Sequence, residues 1–123
     1  MKSRDLLRPV IPSIKKELAS SPEEAFQNET VRPVVKMLHE LLITYFLEHI
    51  KLKNVDLSDM SIPQKQSFIM GIFQKDLVLR NKTKGMIIGQ FEFDEFNTYL
   101  TMQKDINKRI ISIVQERVIN ALA

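Results

Sequence analysis

From Phe93 to Ala123 the chain contains neither glycine nor proline, and Phe96, Tyr99, Leu100, Ile106, Ile110, Ile113, Val114 and Val118 recur at intervals of three and four. That spacing lays an apolar stripe along one side of a helix. It predicts a long final helix reaching about Asn120, with room for a jog near Lys104–Asp105. No stretch alternates for long enough to make a sheet, so an all-α fold is expected. With 123 residues, 44% of them apolar, the chain is of a size to build one core rather than two.

Two earlier segments carry their own start signals. Ser21-Pro22-Glu23-Glu24 combines a capping hydroxyl, a proline suited to the first helical position and acids where the helix dipole favours them. Pro33 then predicts a kink or break near residues 30–32, because a proline ring clashes with the carbonyl four residues back. Beyond it, Val34, Val35, Leu38, Leu41, Leu42, Tyr45, Phe46 and His49 form one stripe and Ile43, Leu47 and Ile50 a second. So wide an apolar surface marks this as the central helix, ending near Lys53–Asn54. Ser61-Ile62-Pro63-Gln64 is a capping box opening the next helix, with Ile62, Ile69, Met70, Phe73 and Leu77 as its buried stripe. Gly89 is the favoured end, with Gly85 and Gly89 sharing a face where another backbone comes close. Phe91 and Phe96 are placed to staple a cap at Glu92. The expectation is a bundle of three long helices over 21–123, the first split or kinked near Pro33, preceded by an arm over 1–20 that Pro9 and Pro12 keep from being one helix.

The segments S-P-E-E-A-F-Q-N-E-T-V-R-P (21–33) and K-D-L-V-L-R-N-K-T-K-G-M-I-I-G-Q-F (75–91) resemble a family of short uncharacterised bacterial proteins, the likeness running from about Arg8 onward. Some of its members carry the automatic label glyoxalase. The resemblance implies one whole-chain domain and brings no catalytic residues with it. Glu92 departs from the family's expected hydroxyl residue before the acidic pair.

The chemistry that label suggests finds few carriers. The chain has no cysteine, which removes thiolate nucleophiles, thiolate metal sites and disulfides, and fits a reducing, cytoplasmic setting. Its two histidines, His39 and His49, lie ten residues apart on one helix, separated by about 15 Å of rise and about 80° of rotation. They cannot share a metal within one subunit, and each reads as a partly buried or rim histidine. No metal or cofactor is expected. No stretch is long and apolar enough to span a bilayer, and charge and proline interrupt the apolar start, unlike a signal peptide.

Residues 61–90 carry five basic side chains against one acidic, whereas residues 21–60 carry four against seven. Within the basic segment, Asp76, Arg80 and Lys84 recur every fourth residue, so on a continuous helix they line one face with Asn81 beside them. Such a face can hold a phosphate or carboxylate; as structure alone it is a surface ion-pair ladder. Gly85 and Gly89 lack the lysine, the serine and the preceding strand of a phosphate loop. Basic residues Arg4, Arg8, Lys15, Lys16, Lys75, Arg80, Lys82 and Lys84 have few aromatics among them, which argues against a nucleic-acid binder. The leading expectation is a non-enzymatic interaction or self-associating module, displaying the apolar arm residues Leu7, Val10, Ile11 and Ile14 and a doubly apolar helix to a copy of itself or to another protein. The rival is an enzyme or binder of a small anionic or carbonyl ligand near Asp76, Arg80 and Lys84; nucleic-acid binding ranks third.

Overall fold

The computed structural model describes residues 21–123, which are helical with no strand among them; the arm, with Leu7, Val10, Ile11 and Ile14, lies outside the described residues. Ser21 caps α1 (Pro22–Phe26), its hydroxyl accepting from the Glu24 N–H at 3.1 Å. A π-helical turn (Gln27–Val31) continues into α2 (Arg32–Met37). The irregularity expected near residues 30–32 is thus a π-turn that separates α1 from α2, and Pro33 does not end the helix outright. Proline cannot donate to a preceding carbonyl, and a widened turn just ahead of it takes up that mismatch. The break falls at Leu38 instead (φ −93°, ψ 12°), after which α3 (His39–Leu52) begins.

Asn54 turns the chain with a positive φ of 61°, a conformation that asparagine tolerates. A single 3₁₀ turn (Leu57–Asp59) leads to α4 (Ile62–Lys75), whose capping box forms as the sequence predicts: Ser61 Oγ accepts from Gln64 N–H, and Gln64 Oε1 from Ser61 N–H. α5 (Leu77–Ile88) ends at Gly89, α6 (Phe93–Thr101) follows, and α7 (Gln103–Leu122) closes the described chain. At the α6 start Glu95 accepts from the Glu92 N–H at 2.7 Å, while Phe91 and Phe96 each set a ring against Tyr99.

Three long helices are thus replaced by shorter ones, with α4/α5 parting at Asp76 and α6/α7 at Met102. Both interruptions have a side-chain cause. Asp76 takes the Leu79 N–H onto its own carboxylate, and Thr98 and Thr101 direct their hydroxyls to the carbonyls of Asp94 and Thr98 just before Met102. Polar side chains that bond nearby backbone offer the chain an alternative to uninterrupted helix.

The centre of the bundle is α7 rather than the 34–50 segment. It packs against α2, α3, α4, α5 and α6 and buries Ile106, Ile110, Ile111, Ile113, Val114 and Val118. Around it close Val34, Val35, Leu42, Phe46, Ile50, Ile69, Phe73, Leu79 and Ile87. The expected double stripe is only partly inside: Leu42, Phe46 and Ile50 are buried, whereas Leu41 of the first stripe and Leu47 of the second remain 59% and 40% exposed. Ile62 and Met70 on α4, and Leu77 at the start of α5, are likewise exposed, because α4 buries a single seam against α7, here Ile69 and Phe73.

Gly85 does not admit a neighbouring backbone, since a Cβ built there meets nothing within 4 Å. Gly85→Ala is accordingly expected to raise stability by about 0.5–1 kcal/mol, a gain readable as a higher urea midpoint at unchanged slope, because alanine in a helix interior costs less backbone entropy.

Candidate functional site

The four residues singled out by spacing do not make one face. Asp76 is extended (φ −89°, ψ 102°) and serves as the C-cap of α4 and the N-cap of α5 together. Its Oδ1 accepts from Leu79 N–H at 3.0 Å and its Oδ2 from His49 Nε2 at 2.7 Å, with Lys53 Nζ 3.3 Å from Oδ2. The His49 bond, then the Leu79 bond, hold the Asp76 carboxyl well below the usual carboxylate range, since each stabilises the charged form. Arg80 does not pair with Asp76; its guanidinium donates to the Phe73 carbonyl at 2.7 Å, satisfying an acceptor in the last turn of α4. Asn81 is exposed and Lys84 half-buried, and neither bonds to Asp76. Tyr99 is engaged elsewhere, donating to Asn107 Oδ1 at 2.6 Å. Asp76 and Arg80 are therefore joints between helices rather than ligands of a shared anion.

Beside this joint stands Tyr45, whose ring lies 5.8 Å from that of His49 and under the Lys82 ammonium at 5.9 Å. Burial, and secondarily the Asp76 carboxylate, raise the pKa of its hydroxyl, which is buried with no hydrogen-bond partner among the described residues. His39 is in a different setting altogether, receiving a hydrogen bond from Arg117 at Nδ1 (3.1 Å). Among the described residues no three histidine, aspartate or glutamate side chains converge on a point where a metal would sit, and no helix is long and apolar enough to cross a membrane.

Among the described residues a trough runs along α4. Two open depressions, about 670 and 630 Å³, share Ser67 and Phe68 as common lining. The first continues past Gly71 and Ile72 to Lys75, Asp76, Leu77 and Val78; the second runs past Gln64 and Pro63 to Met60, Asp59 and Asp56. Gln64, Ser67, Phe68, Gly71 and Lys75 recur at helical spacing, so they share one face of α4. Its floor is low at Gly71, where an added Cβ meets nothing within 4 Å. One end is acidic, with the Asp56 carboxyl held below its usual range by the Ser58 N–H. The other carries the exposed Lys75, with Leu77 and Val78 beside it 69% and 55% exposed. Of the four spacing-derived residues only Asp76 reaches the trough. Sequence reading missed it because Ser67 and Gly71 carry no apolar signal, although a small-residue pair four apart beside Phe68 was visible. The chain matches no family model, no curated protein and no solved structure.

Proposed function

We propose that this protein is a self-associating module whose α4 trough receives α4 of a second copy, the two running antiparallel about a two-fold axis. The observation that carries the reading is the trough's polarity, an acidic end at Asp56 and Asp59 and a basic end at Lys75 with apolar lining between. A two-fold pairing presents the same patch on both partners. It lays each Lys75 beside the Gln64 end of the other copy's α4, about 17 Å along the helix from its own position, where Asp59 and Asp56 line the same trough. Phe68 of one copy then faces the low floor at Gly71 of the other. The charges set register and orientation, and the apolar lining supplies the attraction. The free apolar side chains Leu77 and Val78 extend the patch toward the roughly 800 Å² per partner that a stable interface requires.

Gly71→Arg tests this reading with little risk to the fold, since arginine is the better helix former and its Cβ meets no neighbour. In sedimentation equilibrium the unaltered chain is expected to show about twice its 14.3 kDa mass, and Gly71→Arg the monomer mass with undiminished thermal stability. Lys75→Glu is expected to dissociate the pair, and Asp59→Lys in the same chain to restore it. A 14.3 kDa species for the unaltered chain at every concentration refutes self-association. A dimer that survives Gly71→Arg refutes the trough as its seat.

A further inference from the structure

A separate cleft of about 480 Å³ lies between the start of α2, the start of α3 and the end of α7, lined by Arg32, His39, Ile113, Glu116, Arg117, Asn120 and Ala121. Two guanidinium groups open onto it, and both are half-buried. Arg32 donates through Nε to Asn28 Oδ1 at 3.3 Å, and Arg117 through an NH1 hydrogen to His39 Nδ1 at 3.1 Å. Both partners are neutral: a guanidinium can only donate, so Nδ1 accepts and the His39 proton is on Nε2. Among the described residues neither arginine has a carboxylate within ion-pair distance, and Glu116, though on the rim, is beyond that reach. Arg109, on the same helix as Arg117, shows the ordinary arrangement, being neutralised by Asp105 and bonded to Gln27.

Two half-buried positive charges that open onto one cleft, with no counter-charge among the described residues, are less well solvated than surface charges and favour an anion that completes them. Guanidinium forks suit planar and tetrahedral oxyanions, which they grip through paired hydrogen bonds. The geometry points to a binding site for a phosphoryl group here, held by Arg32 and Arg117, with the His39 imidazole and the Asn120 amide as neutral donors. A phosphate monoester carries close to two negative charges near neutral pH and matches both arginines, whereas a single carboxylate leaves one unmatched. The cleft is several times larger than a phosphoryl group, and Ile113 and Ala121 give its remaining space an aliphatic wall for a small organic body.

The test is titration of the full-length chain with inorganic phosphate, phenyl phosphate and acetate, followed by the NMR resonances of the His39 ring and the Arg117 and Arg32 side chains. Saturable shifts at these residues with both phosphoryl probes, and none with acetate, are expected. Equal affinity for the two probes assigns the site to the free anion; tighter binding of phenyl phosphate assigns it to a phosphomonoester. Arg117→Gln and Arg32→Gln are each expected to weaken binding by about tenfold to a hundredfold, and Arg117→Lys to weaken it less than Arg117→Gln, since it keeps the charge and loses the fork. Should one glutamine variant fail to fold, the other and the lysine variant decide. Absence of saturable shifts with either phosphoryl probe, or affinity unchanged in the variants that fold, overturns the assignment.

Discussion

Phe73→Ala is expected to lower the unfolding free energy by about 3–5 kcal/mol, the range for truncating a buried aromatic side chain. Phe73 on α4 lies face to face with Phe46 on α3, ring centroids 5.5 Å apart and planes within 5°. Each ring is only 1% exposed. Truncation removes the transfer energy of the ring and leaves a hole that the neighbouring isoleucines, already held by α7, cannot fill by small movements. Domains of this size have about 5–15 kcal/mol in hand, so the loss takes a large share of it. Urea unfolding of the variant should show a strongly reduced midpoint. Combining it with Phe46→Ala should cost less than the two separate losses added together, because each single variant already removes the stacking term of about 0.5–1.5 kcal/mol.

The second large effect is expected at Asp76, where one carboxylate joins three elements. Asp76→Ala is expected to cost about 1–4 kcal/mol: about 0.5–2 from the lost cap of α5 and a comparable amount from the hydrogen bond to His49. Lys53 adds little, since its side chain is 53% exposed and surface pairs are worth about 0–1 kcal/mol. The direction of the pH dependence follows from the depressed carboxyl. A group whose folded pKa lies below its unfolded one adds stability that is present above the unfolded value and is lost as pH falls through the folded one. Stability should therefore decline in acid, below the usual carboxylate range. Asp76→Asn, which cannot ionise, should flatten that part of the curve in denaturant titrations run from neutral to acid pH, and its deficit against the unaltered chain should be largest at neutral pH.

Much of the local architecture was legible in the residues. The caps at Ser21 and Ser61, the end of α3 near Lys53 and the end of α5 at Gly89 all follow from interactions spanning three or four residues, where chain connectivity brings the partners together whatever the fold. The break at Asp76 was misread for the same local reason: spacing alone gives an aspartate four residues before an arginine as a helical pair, and it takes His49, 27 residues away, to turn the carboxylate toward α3. The expected site dispersed with that turn.

What the sequence by itself determined is that these residues form amphipathic helices and where most of them start, because capping and 3.6-residue periodicity act over a few angstroms along one chain. Only the tertiary structure decided that α7 takes the centre, that α4 leaves Ser67, Phe68 and Gly71 lining its trough, and that Arg117 meets His39 across a separation of 78 residues. Those outcomes depend on which stripe of each helix is covered by another. That choice is made by packing the whole set against one shared core, where no single segment holds enough information to make it.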